Sequence, residues 1–154
     1  MRRASAFALA VLIAAVLIGG CGGHAATRTD VIARANAICF GAQQAVRSIA
    51  STGAGATDTK ARATYFNRVT RIVAKEASQL AALPRPKQRR GALNRYVDAV
   101  DASVGDYRAA GRAATAGDAG GVSQALAKLQ SNRATRYARD YGLKQCAGSA
   151  SPAG

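Results

Sequence analysis

Leu93-Asn94-Arg95-Tyr96-Val97-Asp98-Ala99-Val100-Asp101-Ala102-Ser103-Val104-Gly105-Asp106-Tyr107 decides the fold. Apolar residues stand at Leu93, Val97, Val100, Val104 and Tyr107, and the same four-three step continues to Gly111 and Ala114. On a helix that step draws a narrow apolar stripe along one face, the seam of a helix packed in a bundle. The helix is expected from near Lys87 to about Ala116.

Outward from that seam, three more segments repeat the pattern. Upstream, Phe66, Val69, Val73, Ala77, Leu80 and Leu83, with Ile72 alongside, predict a helix capped by Asp58 or Thr57 and stopped by Pro84-Arg85-Pro86. Before it, Val31, Ala35, Ile38, Ala42, Ala45 and Ile49, flanked by Ile32, Cys39 and Val46, predict a helix over about 30–50. Thr27 and Asp30 have the spacing to cap its start, and Cys39 falls at the edge of its buried face. Ser51 to Thr57 is Gly-rich but lacks the Gly-Lys-Ser/Thr ending of a phosphate loop, so it reads as a linker. Downstream, Gly117 suits a C-terminal cap and Asp118 an N-cap. Val122, Leu126, Leu129, Ala134, Tyr137 and Tyr141 then predict a fourth helix over about 119–141, weakened at Asn132 and Arg133. The expected fold is all-α, an antiparallel four-helix bundle over 29–146, with a disordered tail at 147–154.

The beginning of the chain reads differently. Met1-Arg2-Arg3 is positive, and Ala4 to Ile18 is apolar except for Ser5. About 20 apolar residues are needed to span a bilayer, so this run fits a cleaved leader better than a membrane span. It ends in Leu17-Ile18-Gly19-Gly20-Cys21, which resembles the lipobox at which signal peptidase II cuts before a lipid-modified cysteine. The resemblance implies a signal peptide at 1–20, a lipid on Cys21 and a flexible tether at 21–28. The alternative is an ordinary signal cut after Ala25 or Ala26, giving a secreted soluble protein. Setting Cys21 aside leaves Cys39 and Cys146. In an exported chain this pair reads as a disulfide, with two unrelated thiols as the alternative. An up-down-up-down topology supports the pairing, because the end of the fourth helix then lies beside the first half of the first.

Lys and Arg number 22 against 8 Asp and Glu, a net charge of +14, which falls by two with Arg2 and Arg3. Such a balance points to polyanionic surroundings, lipid headgroups or cell-wall polymers. The same topology gathers Arg28, Arg85, Lys87, Arg89, Arg90 and Lys144 at the end that carries Cys21, where they would face the membrane.

Catalytic motifs are missing. His24 is the only histidine and sits in the tether; Met1 is the only methionine, so heme has no axial ligand in the core. Glu76 is the only glutamate. Asp98, Asp101 and Asp106 share a helix, but neighbouring Arg95 favours a charge-paired surface over a metal site. No cofactor is expected. The tyrosines interleave with arginines, yet helical spacing makes them core residues, and export removes nucleic acid from the expected partners.

With Asn36-Ala37-Ile38-Cys39 early, a Pro-containing break, and Tyr141-Gly142-Leu143-x-x-Cys146 at the end, most of the mature chain resembles small helical lipoproteins common in high-GC actinobacteria. That resemblance brings no activity with it. The expected role is a non-catalytic lipoprotein on the outer face of the cytoplasmic membrane, engaging an envelope protein or acting structurally. The alternative is a lipoprotein holding a small apolar or anionic molecule between helices, near the weak middle of the fourth.

Overall fold

A computed structural model describes residues 26–50 and 58–148. The expected signal peptide, Cys21, most of the tether, the Gly-rich linker and the tail from 149 onward lie outside the described residues. The described residues form six helices: α1 (Arg28–Ala50), α2 (Thr59–Ala81), α3 (Arg90–Thr115), α4 (Ala119–Ser131), α5 (Ala134–Tyr141) and α6 (Lys144–Gly148). The described residues contain no strand.

Local chemistry sets most of the boundaries. The Thr27 backbone N–H donates to Asp30 Oδ2 (3.0 Å), and the Asp30 N–H donates back to Thr27 Oγ1 (3.2 Å). This reciprocal box satisfies orphan donors at the start of α1. Asp58 accepts from the Ala61 N–H (2.7 Å), and Asp118 from the Gly121 N–H (2.8 Å). Gly117 at φ +70° and Gly142 at φ +102° provide the left-handed residues that close α3 and α5. After Gly142, the Leu143 N–H reaches back to the Ala138 carbonyl (2.8 Å), and the Leu143 side chain is buried.

α3 lies at the centre and packs against α2, α4 and α5. All seven residues of its predicted seam are buried, joined by Ala92, Tyr96 and Ala110. α2 and α3 are antiparallel: Gly111 approaches Phe66 and Asn67 at one end, and Asn94 bonds Arg85 at the other. α3 begins at Arg90, three residues later than the spacing suggests, because Arg89 takes the N-cap position with left-handed backbone (φ 57°).

The fourth helix is two helices. Asn132 is extended (ψ 135°) and breaks the run between α4 and α5. Its side-chain amide donates to the Ala99 carbonyl (2.9 Å) and to Ser103 Oγ (3.1 Å) on α3, while its Oδ1 accepts from the Ala134 N–H (2.8 Å). These tertiary bonds replace the helical ones lost at the break. Ala147 and Gly148, expected in the tail, belong to α6, and Arg28, expected in the tether, opens α1.

α1 packs against α2 and α6. Cys39 and Cys146 form a disulfide, Cα to Cα 5.1 Å, with Cys39 fully buried rather than at the edge of a face. Asn36 Oδ1 accepts from the Gln145 N–H (3.0 Å), and Gln43 Nε2 donates to the Gln145 carbonyl (2.6 Å). The two short motifs around Cys39 and Cys146 therefore meet in space.

The disulfide spans 107 positions. On the chain-entropy account a cross-link of that length contributes about 4 to 5 kcal/mol. Urea unfolding with and without a phosphine reductant is expected to differ by about that amount. Alkylation of denatured, unreduced protein is expected to label neither cysteine. Equal stability in the two conditions would show that α1 docks without the covalent link.

Candidate functional site

Two polar features interrupt the apolar interior. The first lies between α2 and α3, close to the disulfide. Glu76 follows the stepping of Val69, Val73 and Leu80 and is only 8% exposed. Burial pushes its carboxyl up to about 7, since a charge in low dielectric lacks its hydration. Its charge acts on the Tyr96 and Tyr107 hydroxyls, which desolvation already holds well above the usual phenol range. The Tyr96 hydroxyl donates to Cys39 Sγ (3.2 Å), because a disulfide sulfur has no proton to give. The group holds an acid that titrates near neutrality and phenols that stay protonated. It lacks a nucleophile paired with a base.

The second feature sits at the end of the bundle where the chain enters it. Arg28, on the first turn of α1, lays its guanidinium over the Tyr141 ring at 5.3 Å and donates through Nη2 to the Tyr141 carbonyl. Those contacts tie the start of α1 to the end of α5. Tyr141 is fully buried, yet its hydroxyl has no hydrogen-bond partner, and neither has Arg28 Nε. An unsatisfied buried donor costs about 1–3 kcal/mol, so two in one stacked pair are conspicuous. Desolvation raises the Tyr141 hydroxyl, and the charges of Arg28, Arg85 and Arg89 oppose that shift.

The six basic residues expected at this end divide into two kinds. Arg28 and Arg85 are half-buried and committed to internal bonds. Arg85 caps the C-terminus of α2, donating to the carbonyls of Leu80 (3.3 Å), Ala81 (3.2 Å) and Leu83, and to Asn94 Oδ1 (3.1 Å). Lys87, Arg89, Arg90 and Lys144 are exposed. Arg28 is stacked on Tyr141, the charges of Arg85 and Arg89 also act on its hydroxyl, and Lys144 follows two residues after Gly142, which lies against Arg28. Sequence reading placed Tyr141 in a seam and missed its place among these cations. The signal was present: an aromatic closing the last seam, just before a glycine.

A cleft of about 460 Å³ lies between α2 and α3, far along the chain from the fourth-helix break where one was expected. Alanines 74, 77 and 81 leave the space, and Asp98, Asp101 and Arg108 stand around it with Val97 and Val104. Asn132 fills the break instead. Among the described residues no group of three His, Cys, Asp or Glu could hold a metal ion, and no helix is long and apolar enough to cross a membrane.

None of the protein families, curated proteins or solved structures compared with the chain matches it.

The buried acid generates a pH prediction. Stability is fully present below about pH 4.5, where Glu76 is neutral in both states. It falls as pH rises through about 7, because the unfolded chain releases the proton more readily. A shift of that size corresponds to about 3 kcal/mol. Glu76→Gln, which does not titrate, is expected to match wild type near pH 4 and exceed it at pH 8 by up to that amount in urea unfolding. A difference that does not grow with pH would place the carboxyl in water.

Proposed function

We propose that the protein is a non-catalytic, lipid-anchored component of the cell envelope that acts through interaction. In this reading Cys21 carries the lipid, and the basic end of the bundle faces the anionic surface. One observation carries the orientation. α1 begins at Arg28, seven positions after Cys21, and Arg28 stands at the end that also holds Arg85 and Arg89. Seven residues reach at most about 25 Å, so a lipid on Cys21 keeps this end nearest the membrane. The disulfide agrees with an exported chain, since such bonds persist outside the reducing cytosol. The partners in this reading are membrane lipid through Cys21, anionic headgroups or cell-wall polymers, and an envelope protein.

The α2–α3 cleft supports a second reading, a lipoprotein that holds a small molecule between helices. Asp98 and Asp101 outnumber Arg108 around it, which disfavours an anion, and its alanine walls leave Arg108 and Ser78 as the side-chain donors. The interaction reading therefore stands first.

Cys21→Ala is expected to abolish fatty-acid labelling and release the protein from the membrane fraction. On that unlipidated chain, changing Lys87, Arg90 and Lys144 to Gln is expected to weaken binding to anionic vesicles by roughly a hundredfold, at about 1 kcal/mol per cation near such a surface. Added salt should erase the difference. Unlabelled wild-type protein beginning at Ala26 or Thr27 would overturn the anchor. Equal binding to neutral and anionic vesicles would overturn the orientation.

A further inference from the structure

We propose that the exposed face of α2 is a binding track for a linear polymer carrying a phosphate on each repeat, engaged by Lys60, Arg68, Arg71 and Lys75. The track is separate from the membrane contact proposed above. It rests on the exported, anchored reading only for the choice of an envelope polymer over other phosphate chains.

The argument begins with spacing. Lys60, Thr64, Arg68, Arg71 and Lys75 step by four, four, three and four, and all five are exposed. On a helix that step draws one stripe, here on the side away from buried Val69, Val73 and Leu80. From Lys60 to Lys75 it runs about 22 Å, at 1.5 Å per residue. The one acid within α2 is Glu76, which is buried, and Asp58 just before the helix is engaged as its N-cap. Among the described residues, none of the four cations has a side-chain hydrogen bond, ion pair or ring contact. The other long helices mix their signs. On α1, exposed Asp30 stands with Arg34 and Arg47; on α3, exposed Asp98 and Asp101 stand with Arg95 and Arg108. Asp98 and Asp101 lie across the α2–α3 cleft and bound the track on that flank.

Like charges three and four positions apart repel on a helix, as Arg68 does with Arg71 and Arg71 with Lys75. A polyanion laid along the stripe removes that repulsion. A single small anion spans part of a 22 Å line, whereas a chain of anionic groups engages all four cations and releases its own counterions. Two of the four are guanidinium forks, which match the paired oxygens of a phosphate. A flat membrane fits less well. Asp58 follows Ala50 by eight positions, at most about 28 Å of chain, while α1 is about 33 Å long. The start of α2, with Lys60, therefore cannot lie level with Arg28. A surface seated against the tether end does not run along the whole stripe; a polymer rising past the bundle does.

The test uses the full chain carrying Cys21→Ala in neutral detergent, with linear polyphosphate as the probe and orthophosphate at equal phosphate concentration as the reference. Polyphosphate is expected to bind and orthophosphate not, with log affinity falling against log salt at a slope of about −3, roughly 0.7 for each cation engaged. Changing Arg68, Arg71 and Lys75 to Gln keeps good helix formers. It is expected to cut the slope to about −1 and the affinity about a hundredfold near 0.1 M salt, with the melting temperature at or above wild type. Changing Lys87, Arg90 and Lys144 to Gln removes the same charge from the tether end and is expected to leave polyphosphate binding within about threefold, since screening confines each cation to its neighbourhood. Orthophosphate matching polyphosphate, or the two triple variants weakening it equally, would overturn the track. Polyglutamate binding as tightly at equal charge would rule out the choice of phosphate. A single-stranded oligodeoxynucleotide binding more tightly through the same three residues would rule out the envelope polymer. The α2 variant should keep its binding to anionic vesicles, so a failed track leaves the orientation standing, and a failed anchor leaves polyphosphate binding intact.

Discussion

The disulfide between Cys39 and Cys146 is the constraint on which the placement of α1 depends. α3 is held by three helices, but α1 has α2 on one side and the five-residue α6 on the other. Around and beyond Cys39 its stripe is only half covered, with Ile38, Val46 and Ile49 partly buried and Phe40 50% exposed. Partial burial of small side chains yields little of the roughly 25 cal/mol per Å² that a full core supplies. The covalent link, reinforced by Asn36 and Gln43 on the Gln145 backbone, holds α6 against α1. It also helps to hold Arg28 over Tyr141, because Arg28 lies on α1 and Tyr141 ends α5, five positions before Cys146.

That link helps to offset what the interior gives up. Small domains hold a net stability of about 5–15 kcal/mol. A buried Glu76, partly charged at neutral pH, and two unpaired donors at the bundle end draw on a core in which Ala and Val predominate and Trp is absent. Glu76 shares its surroundings with Tyr96, whose hydroxyl contacts the disulfide. The one buried acid among the described residues thus acts on a tyrosine that touches the disulfide.

Periodicity was legible where a helix has neighbours on several sides. Every predicted seam residue of α3 is buried, because α2, α4 and α5 surround it. Caps were legible at Thr27, Asp58, Gly117 and Asp118, since each acts within four residues of chain. The pairing of Cys39 with Cys146 was legible from the two cysteines left once Cys21 is set aside in a chain expected to be exported, and the expected topology supported it. What stayed hidden depends on distant partners. Asn132 breaks the fourth helix through bonds to Ala99 and Ser103, 33 and 29 positions away. Arg85 looked like one more surface cation, and only the fold of the Pro84–Pro86 turn delivers it to the end of α2. Glu76 stood at the right step for burial, but its charge argued for water. Tyr141 showed its burial in the sequence and not its company, which comes from α1 and the α2–α3 connection.

The division of labour among the cations bears on how the bundle would be oriented under the proposed anchor. Diffuse attraction between exposed Lys87, Arg90 or Lys144 and an anionic surface fades over a Debye length, about 8 Å at physiological salt. Under the proposed anchor, the seven positions from Cys21 to Arg28 span at most about three times as far. Charge alone would therefore let an anchored bundle tilt whenever that stretch of chain extended. Arg28 is committed inward, to the Tyr141 ring and carbonyl. It ties the start of α1 to the end of α5, so whatever pulls on the start of α1 pulls on α5 as well.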